Sequence, residues 1–145
     1  MVNICLDSTA KSCSVNKNNL IDTNLIIRFL TSDDPKKASD VKELFSSGKV
    51  FFLPDIAFAE IIWVLSSFYE FDREEIHENM KSLLAFEKIN CSRNLLSQAL
   101  VNYRNFNNLS FVDCYLAALV QMRKSKVLYS YDKGFDKVHV KRLEL

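Results

Sequence analysis

Four carboxylates stand where a chain usually avoids acids or spends them on something else. Asp22 lies between a short apolar pair, Leu20-Ile21, and the apolar run from Leu25 to Leu30. The pair reads as the end of a buried strand and Asp22-Thr23-Asn24 as the start of a helix, which puts the acid at the C-terminal tip of a strand, where open α/β sheets bind ligands. A plain helix cap accounts for Asp22 alone equally well. Glu60 sits in Phe58-Ala59-Glu60-Ile61-Ile62-Trp63-Val64-Leu65, past the first turn of a helix, where neither capping nor the helix dipole explains it. The alternative is a partner for a buried Arg or Lys. Asp113 completes Ser110-x-x-Asp113, a capping-box spacing, yet Phe111, Val112, Cys114 and Tyr115 around it mark the turn as buried. Asp132 directly follows the strand-like Tyr129-Ser130-Tyr131, repeating the placement of Asp22, with a turn role as its alternative.

If the four share one pocket at the sheet's C-terminal edge, they cannot all stay charged and uncompensated. Two unit charges about 6 Å apart at an effective dielectric near 20 repel by roughly 3 kcal/mol, and four acids make six such pairs. Total stability is of the same order as that sum, so either some carboxyls hold protons or a divalent cation sits among them. An all-oxygen donor set suits Mg²⁺ or Mn²⁺. His77 and His139 lie in ordinary amphipathic and terminal contexts and are set aside as ligands.

The elements that must position these acids alternate along the chain. Helical patterns run from the Asp22 segment to Leu30, from Asp34-Pro35 to Ser46 with Gly48 closing the end, and from Asp55 to Tyr69, the last apolar on every side and therefore read as buried. Pro54 suits the first turn of that helix. Further helices run from Asp72 to Phe86, from Ser92 to about Asn107, and from Ser110 to Met122. Between them, Val50 to Leu53, Lys88 to Cys91, Lys126 to Tyr131 and Val138 to Leu143 read as strands. Strands separated by helices imply crossover connections, hence a largely parallel sheet covered on both faces.

Composition bounds the rest. The chain has 145 residues, 48% hydrophobic and 26% charged, enough for a single domain with a real core, and its net charge of +1 neither supports nor excludes a nucleic-acid partner. Cys5, Cys13, Cys91 and Cys114 are scattered with no close pair or neighbouring histidine, which argues against zinc and for reduced thiols. No apolar run is long enough to span a bilayer or serve as a secretory signal, so a cytoplasmic protein is expected. Residues 1–19 are rich in Ser, Asn and Lys and read as an N-terminal extension, with Val2 to Leu6 alternating like a short strand.

At the four acidic motifs the chain resembles the PIN-domain nucleases, and among them the VapC-type toxins of bacterial and archaeal toxin-antitoxin pairs. The resemblance covers Leu20 to Leu145, carrying the acids in the family's order as Asp22-Thr23-Asn24, Ala59-Glu60-Ile61, Val112-Asp113-Cys114 and Tyr131-Asp132-Lys133. It implies a PIN-like α/β fold over residues 20–145, with a central, largely parallel sheet of about four to five strands flanked by helices on both faces. It further implies divalent-metal-dependent endoribonuclease activity, with Asp22, Glu60, Asp113 and Asp132 as catalytic metal ligands for Mg²⁺ or Mn²⁺. Asn24 and Ser130 would orient carboxylates, and Asp136 is a weaker ligand candidate. Arg28 and Lys133 would meet the RNA backbone or else serve as solvated surface charge. A VapB-like antitoxin and a homodimer are the implied partners, with apolar side chains on the helices Ser32 to Ser46 and Asp72 to Phe86 supplying the surfaces. Two features depart from the family: the extension before Leu20, and a first strand only two residues long. Val2 to Ser8 imitates the family's opening, which makes Asp7 a rival to Asp22, but only Asp22 is followed by the Asn and the apolar helix. The alternatives are a metal- or RNA-binding PIN-like module without activity and a structure-specific DNA nuclease. The latter would need further acids and an insertion for which the chain has no room.

Overall fold

Helices dominate the chain because most apolar runs are paced by side-chain oxygens that can start a helix. A computed structural model of the protein describes residues 19–123 and 127–145. The Val2 to Leu6 strand, Asp7, Cys5, Cys13, the extension up to Asn18 and Lys126 lie outside the described residues. In order, the described elements are α1 (Thr23–Thr31), α2 (Pro35–Ser46), β1 (Phe51–Phe52), α3 (Asp55–Ser67), α4 (Arg73–Ala85), β2 (Ile89–Asn90), α5 (Arg93–Asn105), α6 (Phe111–Met122), β3 (Val127–Tyr129), a 3-10 turn (Lys133–Lys137) and β4 (Lys141–Leu143).

The helix ends have chemical causes. Asp34 caps α2 by accepting from the backbone N–H of Lys37, with Pro35 at the first helical position, where no N–H is needed. Asp72 and Glu75 form a reciprocal capping box on α4, and Ser110 and Asp113 form another on α6. Pro54 stands one residue earlier than expected, at the N-cap of α3, with Asp55 as the first helical residue. Gly48 takes a φ of +81° just past α2, a conformation that costs glycine little.

The core is made by α3, α4, α5 and α6 packed around short strands. Phe58, Ile61 and Leu65 of α3, Ile76 and Met80 of α4, and Leu96 and Leu100 of α5 are all fully enclosed. Complete burial of such side chains contributes about 1.5–3 kcal/mol each, and Phe58→Ala would cost about 3–5 kcal/mol through the cavity it leaves. Cys114, Ala117 and Ala118 put small residues on the buried face of α6, letting it lie close against α5. Asn102, also buried, donates from Nδ2 to the Cys114 carbonyl and to Gln121 Oε1, and Gln121 donates on to the Val138 carbonyl. This polar chain ties α5 and α6 to the turn before β4. A second cluster of rings, Phe29, Phe45, Phe51 and Phe86, joins α1 and α2 to β1 and the end of α4.

The sheet differs from the expected four to five strands. Among the described residues it consists of two parallel pairs, β1 with β2 and β3 with β4, plus a single parallel bridge from Leu20 to Phe52. The strands are two or three residues long, and each gives way to a helix cap or turn before a wider ladder can form. Residues 19–21 therefore act as a short third strand beside β1, through Ile21 N–H to the Phe52 carbonyl and Phe52 N–H to the Asn19 carbonyl. Only Ile21 of the first apolar pair is buried; Leu20 is 69% exposed.

Helix α3 is not buried on all sides either. Ile56 is 78% and Trp63 66% exposed, and with Glu60 they occupy one outward stripe at i, i+4 and i+7. Val112 and Leu116 of α6 are exposed beside it, and with Asp55, Ile56, Ala59 and Tyr115 they line a groove of about 320 Å³. The expected apolar surfaces on α2 and α4 are absent among the described residues, since both helices turn their large apolar side chains inward.

Candidate active site

Asp22 and Asp113 stand at the N-termini of α1 and α6, where the backbone N–H groups and the helix dipole favour negative charge, and Asp132 caps the short 3-10 turn. Asp22 is the N-cap of α1 but makes no capping hydrogen bond. Its carboxylate instead accepts from Asn24 Nδ2 at 3.3 Å, its one side-chain partner among the described residues, and stays exposed. Asp113, the third residue of α6, accepts from Ser110 N–H (3.1 Å) and Ser110 Oγ (2.6 Å). Asp132 accepts from Gly134 N–H at 2.7 Å, and its own N–H donates to Ser130 Oγ at 3.0 Å, so Ser130 holds the backbone of that turn and not the carboxylate.

Glu60 is the exception, an exposed acid on the outward stripe of α3. What fixes it is Thr23, the residue next to Asp22. The buried Thr23 hydroxyl lies 2.7 Å from Glu60 Oε2 and 3.5 Å from the Ala57 carbonyl, tying the start of α1 to the second turn of α3. In the sequence Thr23 stands out less than the acids on either side of this contact. Its signal was a polar residue at the first position of a helix that turns an apolar face inward.

The second pair of acids is joined through the loop between α5 and α6. A side chain added at Gly134 would stand 2.8 Å from Leu109 Cδ2, 3.0 Å from Asn108 Nδ2 and 3.0 Å from Asp132 Oδ1. The turn carrying Asp132 thus packs directly on the residues that lead into the Ser110-Asp113 cap. Two links result, Asp22 with Glu60 through Thr23 and Asp113 with Asp132 through residues 108–110, and α3 packs against both α1 and α6. No three oxygens of these four acids lie within 4.8 Å of one another, so they are arrayed by shared elements and not by direct contact.

The remaining candidates are already engaged, with one exception. Arg28 pairs with Asp33, which also accepts from Tyr69 Oη (2.5 Å) and Thr31 Oγ1 (3.1 Å). The Arg28 and Tyr69 hydrogen bonds hold the Asp33 carboxyl well below the usual carboxylate range. Asp136 is gripped on both oxygens by Arg142, at 2.7 and 3.2 Å, which also pulls its pKa down. Lys133 is exposed in the 3-10 turn. His77 is buried on α4 with Nδ1 3.0 Å from Glu78 Oε1, and Glu74, His77 and Glu78 form the one group of three potential ligands that close together among the described residues. Glu74 is held there by Arg104 on both of its oxygens, at 2.7 and 2.8 Å, so its charge already has a partner.

The model of the PIN domain family matches residues 20–141, a span that includes all four acids and the elements holding them. The chain belongs to the PIN domain family. It is also 23% identical over 125 residues to a protein named VapC ribonuclease from Aquifex aeolicus (strain VF5), a match covering 84% of this chain and 93% of that relative. As a PIN domain, the chain has the α/β character of the family in reduced form, mostly helical with small parallel strand pairs. No described helix is long and apolar enough to cross a membrane.

The donor chemistry of this PIN domain fits a hard divalent cation. Asp22, Glu60, Asp113 and Asp132 offer only oxygen, with no thiol or imidazole among them. Cys114 is fully enclosed beside Asp113 on α6, and burial pushes its thiol up to about 12, which keeps it protonated and outside any ligand set.

Proposed function

We propose that this PIN domain is a divalent-metal-dependent endoribonuclease acting as the toxin of a VapBC-type toxin-antitoxin pair in the cytoplasm. The observation that carries the reading is the placement of Asp22 and Asp113 at the N-termini of α1 and α6 and of Asp132 at the start of the 3-10 turn, with Glu60 bound to the first of these through Thr23. The helix dipoles favour the charges of Asp22 and Asp113, and among the described residues Asp22 accepts only from Asn24. The relative named VapC ribonuclease supports RNA as the substrate.

In this reading the four carboxylates hold Mg²⁺ or Mn²⁺. The cation, when bound, lowers the pKa of a coordinated water and neutralises charge on the phosphate and the leaving oxygen. The chain's own contribution is orientation. Thr23 fixes the rotamer of Glu60, Asn24 holds Asp22, Ser110 holds Asp113, and Gly134 N–H holds Asp132. Lys133, exposed beside Asp132, is the cation best placed to meet an RNA phosphate, whereas Arg28 is drawn to Asp33.

The test is cleavage of structured RNAs with Mg²⁺ or Mn²⁺ and with EDTA. Cleavage should require the metal, fall about 100-fold or more in Asp22→Asn, and persist in Asp7→Asn. Activity that survives EDTA would overturn the metal dependence. Loss in Asp7→Asn with retention in Asp22→Asn would move the first ligand into the N-terminal extension. Cleavage of DNA flaps in preference to RNA would favour a structure-specific DNA nuclease.

A further inference from the structure

Arg73 is a guanidinium among the described residues that no carboxylate pairs, held instead by backbone carbonyls. It is the first residue of α4, and its Nη1 donates to the Tyr103 carbonyl at 2.6 Å and the Phe106 carbonyl at 3.2 Å, while Nη2 donates to the Leu109 carbonyl at 2.6 Å. Its Cζ lies 4.0 Å from the centre of the Tyr103 ring, and that ring packs edge-on against Phe111. The Tyr103 and Phe106 carbonyls stand at the end of α5, where carbonyls lack intrahelical donors and carry the negative end of the helix dipole, and the Leu109 carbonyl lies in the connection beyond; one planar cation with several N–H groups reaches all three where a flexible amine would not. The three carbonyls bracket the connection from α5 to α6.

That connection is also the piece of chain that joins two of the acids. Leu109 directly precedes Ser110, whose N–H and Oγ hold the Asp113 carboxylate, and Asn108 and Leu109 are the side chains against which the Asp132 turn closes at Gly134. We infer that Arg73 is a positioning residue for the metal site, clamping residues 106–110 so that Asp113 and Asp132 keep the mutual placement a shared cation needs. The inference rests on the proposed function in so far as those two acids are taken as ligands. Arg73 itself touches neither acid and acts through the loop.

The experiment compares Arg73→Lys with Leu96→Ala, a cavity in the core of α5 that leaves the loop contacts untouched, and with Asp113→Asn. Mn²⁺ binding is followed by electron paramagnetic resonance, and backbone exchange by hydrogen-deuterium mass spectrometry without metal. Arg73→Lys should speed exchange over residues 106–113 and around Gly134, and weaken Mn²⁺ binding about 10- to 100-fold, as loss of a supporting group around ligands does. Leu96→Ala should lower the unfolding temperature at least as much while leaving Mn²⁺ affinity within about twofold of wild type. Unchanged exchange in the loop, or equal loss of Mn²⁺ in Leu96→Ala, would overturn the clamp. Should Asp113→Asn bind Mn²⁺ like wild type, the site reading fails instead, and the exchange data still decide whether Arg73 holds the loop. If Arg73→Lys does not fold, Arg73→Gln, which keeps N–H donors for part of the loop, takes its place. It should speed exchange over residues 106–113 and lower Mn²⁺ affinity in the same direction, and wild-type exchange and affinity in that variant would contradict the clamp.

Discussion

At the scale of single residues, the proposed metal site of this PIN domain turns on how each carboxylate is held. Glu60 was conspicuous in the sequence because its neighbours are apolar, and the inference that it must be buried was wrong for a specific reason. Ile56 and Trp63, one turn away on either side, are exposed as well, so the acid lies in an outward apolar stripe and not in the core. The acid was legible; its environment depended on which face of α3 meets α4 and α6, which a helix apolar all round does not encode. Asp33 is the residue whose charge state bears most clearly on stability. Its folded pKa is depressed by Arg28 and Tyr69, so its contribution is fully present above the ordinary carboxylate value near 4 and is lost as pH falls below it. Asp33→Asn should therefore unfold at a lower temperature than wild type at pH 7. The gap should begin to narrow as pH falls below about 4 and should still be partly open at pH 2, and it should shrink at high salt because the group is solvent-exposed. A gap that is unchanged at pH 2 would show that the effect comes from shape and not from charge.

Among the elements, the helices were readable to within about two residues because caps and apolar periods mark their ends chemically: Asp34-Pro35, Ser110 with Asp113, and Gly48 after α2. The strands were overestimated. An apolar run such as Val50 to Leu53 satisfies a strand pattern over four residues, but only Phe51 and Phe52 pair, since Pro54 leads into α3 immediately afterwards. The loop from α5 to α6 carried no signal of its importance, because Arg73 meets it through carbonyls, which every residue has. The expectation of self-association moves from α2 and α4, whose large apolar side chains turn inward, to the exposed apolar stripe of α3 and α6. Ile56, Trp63, Val112 and Leu116 side by side form a patch of the kind that usually marks an interface. Sedimentation should show a dimer for wild type, and Trp63→Ser should shift it towards monomer by about tenfold or more in dissociation constant, because a central aromatic commonly carries 1.4 kcal/mol or more of binding. A wild-type monomer, or a dimer indifferent to Trp63→Ser, would remove this face from consideration.

For the molecule as a whole, the proposed site draws on four acids from separate helices and turns, linked by packing that is otherwise ordinary. Thr23 ties α1 to α3, the Arg73-held loop ties α6 to the Asp132 turn, and the apolar core between α3 and α6 sets the distance between these two units. Such a frame is stable while its acids stay apart and should gain stability when a cation draws them together. Asp113→Asn isolates that gain. Without metal its effect should be within about 1 kcal/mol of wild type, because the charge it removes is both repelled by the other acids and favoured by the α6 N-terminus, and Asn also serves at a helix start. The decisive measurement is thermal unfolding of wild type and Asp113→Asn with EDTA and with saturating Mg²⁺ or Mn²⁺. At about 100 times the dissociation constant, a cation bound only by the folded state adds about 2.7 kcal/mol, or roughly 8 °C for a chain of this size. A rise of that order in wild type and a much smaller one in Asp113→Asn is the predicted result; an equal rise in both, or none in wild type, would contradict a shared metal site built from Asp22, Glu60, Asp113 and Asp132.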